Sequence, residues 1–182
     1  MSTQLTPQQR AALRGRVERA REHASADVIP RRSDSGPAQL SFAQQRLWFL
    51  DQLAPGNPFY NIPAALPLRV AVSETALRSA LGEIVRRHEA LRTVFISTPH
   101  GPRQQVVGAY DPLLPTIDLA SHGSGQRQPQ LERLATEEAR GAFDLTRGPL
   151  LRARLLRLGP ADFVLLLSLH HIVADGWSIR VV

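Results

Sequence analysis

The apolar and polar positions change period several times along this chain. In TPQQRAALRGRVERAREHA, Leu13, Val17 and Ala20 form a narrow apolar stripe. That spacing predicts a lightly packed surface helix over residues 6–24, with Thr6 as its cap, Pro7 in its first turn and Gln9 closing a capping box. ASADVIPRRSDSGPA has no periodicity and reads as a linker. The chain therefore divides into a basic helix with its linker over 1–38 and a globular part over 39–182. SFAQ at Ser41–Gln44 is a second capping-box pattern and predicts a helix running through QRLWFLDQL, stopped by the proline-rich stretch from Pro55 to Pro58.

PFYNIPAALPLRV reads as extended chain interrupted by proline, and a helix is expected from about Ser73. In that helix Leu77, Leu81, Ile84, His88 and Leu91 recur at three and four, which puts His88 on the apolar face as a core histidine. LRTVFIS predicts a strand and GPRQQVV its returning partner. HGSGQRQP is expected to be a loop before a helix over QLERLATEEARGAF. RGPLLRARLLRL alternates as a strand does, Gly159 to Asp162 make a turn, and the continuous apolar run FVLLLSL predicts a strand buried on both faces. Strands alternating with helices indicate an α/β layered fold.

Composition narrows the classes. The chain has 182 residues, 43% hydrophobic, with no cysteine, enough for one domain with a real core. No disulfide, thiolate nucleophile or thiolate metal site is available. No run reaches a membrane span and MSTQLTPQQR lacks a secretory apolar segment, so no membrane association and a cytoplasmic location are expected. The formal charge is +6, and all 22 basic residues are arginine. Arg14, Arg16, Arg19, Arg21, Arg31 and Arg32 concentrate near the start. No nucleic-acid motif accompanies them and aromatics are sparse at 5%, which argues against nucleic acid. A solvated basic face and an acidic protein partner remain as readings.

The candidate chemistry lies in SLHHIVADGWS. At the end of a strand, His170 and His171 point to opposite faces because the side-chain period is two. They cannot easily share a metal ion, and no other acidic or histidine cluster completes a shell, so no metal site is expected. Asp175-Gly176 suits a sharp corner, with Gly176 free to take a positive φ and a helix starting near Trp177. On spacing alone three readings stay open. Both histidines are structural with Asp175 as a helix cap, or they bind metal, or one imidazole serves as base or hydrogen-bond partner.

LHHIVADGWS resembles the HHxxxDG motif of condensation domains from non-ribosomal peptide synthetases. SFAQQRLW (Ser41–Trp48) is similar to that family's first core motif, RHEALRTVF (Arg87–Phe95) to its second, and FDLTRGPLLRARLLRL to the stretch before the histidines. The resemblance covers about residues 38–182. It implies a chloramphenicol acetyltransferase-like lobe, a layered sheet with helices packed on it, as one lobe of a two-lobed domain. The implied reaction joins a carrier-bound acyl or peptidyl thioester to a carrier-bound aminoacyl amine. No cofactor is bound directly, because phosphopantetheine arms arrive on donor and acceptor carrier proteins.

In this resemblance His171 is the catalytic histidine and His170 structural. Asp175 is a structural aspartate salt-bridged to an arginine of the second motif, with Arg87 the first candidate and Arg92 the alternative. Gly176 either lets the backbone approach the thioester arm or is an ordinary turn glycine. Gln44, Arg46 and Trp48 belong to the scaffold. The chain stops just past the first lobe's motif, so the resemblance implies a fragment of a larger synthetase, inactive alone, with apolar surface exposed where the second lobe packs. Related epimerisation or acyltransferase domains, and a non-catalytic module that docks carriers, are the alternative functions.

Overall fold

The computed structural model describes residues 36–178, which fall in the second of two units into which the chain divides, beginning at Gly36. The basic helix expected over 6–24, with its arginines, lies outside the described residues. So does most of the linker, although Ala38, expected to be linker, opens strand β1 (Ala38–Gln39). Helix α1 follows at Phe42–Leu53 with the expected capping box: the Gln44 N–H donates to Ser41 Oγ at 3.2 Å, and the Ser41 N–H to Gln44 Oε1 at 2.9 Å. A single 3-10 turn, Pro58–Tyr60, leads into β2 (Asn61–Leu68).

Helix α2 (Glu74–Arg87) starts where expected, is capped by Ser73, and buries Leu81 and Val85. It ends earlier than the apolar spacing suggested. His88 has φ −105° and ψ 97°, outside the helical region, and its N–H closes the last turn on the Ile84 carbonyl. A 3-10 turn, Glu89–Arg92, then buries Leu91. The three-and-four pattern continued because two helical segments share one apolar side across a break at His88. That histidine is half-buried at a helix terminus rather than on a helical core face.

Strands β3 (Thr93–Thr98) and β4 (Gly101–Val106) form the expected hairpin, with Gly101 at φ 94° making the turn. Strand β5 (Thr116–Asp118) lay unmarked in the sequence, being three residues long behind Pro112 and Pro115. Helix α3 runs from Ser124 to Arg140 and so takes in most of the stretch expected to be a loop. Pro129 lies inside it and leaves the Gly125 carbonyl without its helical donor. Arg127 secures this first turn by donating to the carbonyls of Ala120 (3.2 Å) and His122 (3.3 Å). Strands β6 (Leu151–Gly159) and β7 (Asp162–His170) complete the fold.

The strands make two sheets, a three-stranded β1-β4-β3 and a four-stranded β2-β7-β6-β5. Among the described residues every pairing is antiparallel except β5 with β6. The central position of β7 explains its unbroken apolar run. Its odd-numbered residues, Phe163, Leu165 and Leu169, pack with Leu81 and Val85 of α2. Its even-numbered Val164 and Leu166 pack with Leu134 of α3. Each fully buried leucine of this kind stabilises the fold by about 1.5–3 kcal/mol.

α1 behaves differently. None of its residues is fully buried; Phe42 (92%), Phe49 (57%) and Leu53 (67%) are exposed at spacings of seven and four, and Phe59 beside them is 85% exposed. No helix among the described residues is long and apolar enough to cross a membrane.

Candidate active site

Sheet pairing delivers the histidines. Asn61 stands opposite His170, the His170 N–H donates to the Leu150 carbonyl (3.2 Å), and the His171 N–H donates to the Tyr60 carbonyl (2.8 Å). β7 thus ends with both neighbouring chain segments still holding it, and alternation sends the two imidazoles apart. His170 is 3% exposed, edge-on to Phe143 at 5.9 Å and to Tyr60 at 6.5 Å between ring centroids. His171 is exposed.

The buried ring has a defined task. His170 Nδ1 accepts the Ile172 N–H at 3.2 Å, and the His170 carbonyl accepts the Val173 N–H at 3.1 Å. The residue that follows His171 is therefore tied back to the residue that precedes it. Accepting at Nδ1 requires a neutral ring with its proton on Nε2. Burial, helped by the neighbouring His171, pushes the His170 pKa down to about 4, which keeps the ring neutral. Gln44 reinforces the corner from α1: its Nε2 donates to the Ile172 carbonyl at 3.4 Å while its Oε1 completes the capping box. The first motif's glutamine thus joins α1 to the histidine turn, a link that its sequence position did not disclose.

Asp175 lies elsewhere than expected. It is exposed and exchanges hydrogen bonds with Ser178: the Ser178 N–H donates to Asp175 Oδ1 (2.8 Å), the Ser178 hydroxyl donates to the same oxygen (2.6 Å), and the Asp175 N–H donates to Ser178 Oγ (3.2 Å). These bonds, the hydroxyl's first, hold its carboxyl below the usual carboxylate range. Neither proposed arginine reaches it. Arg87 is exposed at the last turn of α2 and makes no ion pair among the described residues. Arg92 is committed to Glu89 (3.3 Å) and to the Val107 carbonyl (2.9 Å), stapling the 3-10 turn to the end of β4. The buried Asp–Arg pair is thus replaced by a local cap, and the helix expected beyond Trp177 runs into residues outside those described.

Gly176 also departs from expectation. Its φ is not in the left-handed region, and a Cβ added there would meet nothing within 4 Å. Neither the turn nor the packing of this chain demands glycine there. With His171, Asp175 and the 73% exposed Trp177 it forms an open face. A cavity of about 620 Å³ between Leu91, Val94, Val107, Tyr110 and Leu151 contains no residue of the histidine motif. The motif's exposed residues lie on the open face, not in that cavity.

The antiparallel-rich α/β layering of sheets and helices is the chloramphenicol acetyltransferase-like fold. Residues 35–182 match the condensation domain family, and the chain belongs to that family. It is 47% identical to the phosphinothricin tripeptide synthetase PhsC of Streptomyces viridochromogenes over 96% of this chain and 16% of that protein. It is 42% identical to the malpibaldin synthetase of Mortierella alpina over 87% of this chain and 3% of that protein. Among solved structures, the starter condensation domain of the rhizomide synthetase RzmA matches with a TM-score of 0.71 and 29% identity, covering 81% of this chain and 35% of that one. The first condensation domain of the calcium-dependent antibiotic synthetase, in complex with a substrate analogue, matches with a TM-score of 0.68 and 29% identity, covering 80% and 35%. The chain spans about a third of the solved domains it matches and a small part of the synthetases.

Proposed function

We propose that this lobe supplies the histidine face of amide formation between two carrier-bound thioesters. The acceptor's amine nitrogen attacks the donor's thioester carbonyl, a C–N bond forms, and the C–S bond breaks. One proton leaves the nitrogen and ends on the departing sulfur, so no protein acyl intermediate is required. His171 is the group assigned to the nitrogen and its proton. The observation that carries this reading is the contrast within the motif: His170 is buried, neutral and occupied by the Ile172 N–H, whereas His171 is exposed and, among the described residues, hydrogen-bonded through its backbone N–H to Tyr60. An exposed imidazole, able both to accept and to donate a proton, suits transfer at a reacting nitrogen.

Gly176 supports the same reading, because a side-chain-free surface with nothing from this chain against it suits the approach of a pantetheine arm. The partners are donor and acceptor carrier domains and the remainder of a condensation domain, which in the solved relatives is larger than the matched part. His171 faces solvent here, so exclusion of water from the reacting thioester falls to that remainder, and this chain alone is expected to be inactive.

The test is dipeptide formation by a complete synthetase with both carriers loaded, as wild type and as His171→Ala. Loss of the product with both carriers still loaded is expected. Undiminished dipeptide in the variant overturns the assignment and leaves a docking module as the better description.

A further inference from the structure

The C-terminus of α3 is held in an unusual way. Glu138 is 6% exposed, and its carboxylate meets Arg152 Nε at 2.9 Å and Arg154 Nη2 at 3.4 Å. The Arg152 guanidinium does more than neutralise it. Nη2 donates to the carbonyls of Glu138 (2.9 Å) and Gly141 (3.0 Å), and Nη1 donates to that of Ala142 (2.8 Å). Its Cζ sits 4.0 Å from the centroid of the Phe143 ring. Asn61 Nδ2 donates to the carbonyls of Ala139 (2.7 Å) and Gly141 (2.8 Å), and the Ser168 hydroxyl to that of Glu138 (3.2 Å). Two of the four carbonyls that the helix end leaves orphaned, those of Glu138 and Ala139, and the next two beyond it, of Gly141 and Ala142, are therefore answered by side chains of β2, β6 or β7. Space for the guanidinium depends on Gly141, where a Cβ would lie 2.6 Å from Arg152 Nη2 and 2.9 Å from its Cζ.

Phe143 links this clamp to the motif. One side of the ring carries Arg152, and the ring also meets the His170 imidazole in an edge contact. From these contacts we propose that Arg152, seated by Gly141, is a positioning residue. It fixes Phe143 against His170, and so fixes the Ile172 N–H bond to His170 Nδ1 and the corner from which His171 projects. Its role in the reaction rests on His171 being the reacting group; the chain of contacts from Arg152 to His170 does not.

The test reads His170 in the 182-residue chain by NMR of the histidine rings, without turnover. The groups around that ring are Tyr60, His171 and, across a small shared cavity, Asp51 of α1, with Arg152 and Glu138 beyond Phe143. In the wild type the ring signals are expected to be shifted by Phe143 and Tyr60 and not to titrate between pH 8 and pH 5, consistent with a pKa of about 4. Gly141→Ala displaces the guanidinium. The expected result is a loss of the ring shift and a His170 midpoint raised by roughly one unit or more, as water reaches the imidazole.

Phe143→Leu should do the same. Arg154→Ala, which removes the other cation from Glu138 without touching Phe143, should leave His170 unchanged. Unchanged His170 signals in folded Gly141→Ala and Phe143→Leu overturn the proposal, and so does an equal change in Arg154→Ala. Should Gly141→Ala fail to fold, Arg152→Met takes its place under the same criteria. Failure of the catalytic reading would appear only as retained turnover in His171→Ala and would not alter these spectra.

Discussion

The two sides of the end of β7 differ by one residue in sequence and by almost everything in environment. On the packed side, His170 touches two aromatic rings, gives Nδ1 to a backbone N–H, and stands two contacts from the Glu138–Arg152 pair. On the open side, His171, Asp175, Gly176 and Trp177 are all exposed, and the Asp175 carboxylate bonds locally, to Ser178 and the Trp177 backbone. The packed side holds a geometry that the open side presents. Residues on the first should therefore govern stability, and residues on the second should govern chemistry with little effect on folding.

The sharpest way to break that division is at His171. Replacement by alanine in a loaded synthetase is expected to lower dipeptide formation by about 10²–10⁴-fold. The melting temperature of the chain should be nearly unchanged, because the side chain is exposed. A variant that melts well below wild type would show that the open side also carries structure.

The packed side answers next. Removing the buried Glu138 carboxylate leaves Arg152 and Arg154, about a quarter exposed, facing low-dielectric surroundings. Glu138→Ala should cost about 3–5 kcal/mol in denaturant unfolding, as is usual when one partner of a buried pair is removed. The exposed Arg69–Asp162 pair on the same sheet offers a control: Asp162→Ala should cost about 0–1 kcal/mol. Equal losses would mean that burial does not separate the two.

How legible each side was follows from how local its causes are. The ends of α1, the start of α2, the β3–β4 hairpin and the doubly buried β7 rest on caps, turns and periodicity, and all are readable from neighbouring residues. The break at His88 and the helical Pro129 are not, because neither is marked by a cap or a change of period, and the three-residue β5 is a strand by virtue of its pairing with β6. At the site, alternation along β7 foretold that the two histidines part company. The supports of His170 escaped, since Tyr60, Phe143, Glu138 and Arg152 converge from four separate stretches. A signal existed in Arg152 and Arg154, two of the three arginines of β6, at alternate positions and matched by the acidic pair Glu137 and Glu138. The aspartate–arginine pairing came with the catalytic reading and the family resemblance, and the local Asp175–Ser178 spacing was the better guide.

A smaller effect separates the histidines by pH. His170 has a folded pKa of about 4 against an ordinary value near 6.5. Between those values the unfolded chain binds a proton that the folded chain does not. The contribution is therefore fully present above about pH 6.5 and is lost as pH falls towards 4. Thermal unfolding followed from pH 7 to pH 4 should show a declining midpoint that flattens in His170→Gln. Persistence of the same decline in His170→Gln would assign it to other groups.

The smallest effect is expected at Asp175. Its hydrogen bonds with Ser178 are exposed and local, so Asp175→Ala should lower the melting temperature only slightly and leave the folded yield intact. The sign of the pH dependence is set by its lowered pKa: the small contribution exists where the carboxylate is ionised and disappears as acid protonates it. A double-mutant comparison makes the result decisive. With Arg92 bound to Glu89 and to the Val107 carbonyl instead, Asp175→Ala and Arg92→Ala should be additive. The same holds for Arg87, exposed at the end of α2. A large loss in Asp175→Ala that disappears in either arginine background would mean that the corner is held by a buried ion pair. The open side would then be structural as well as chemical, and the division between the two faces of β7 would fail at that residue.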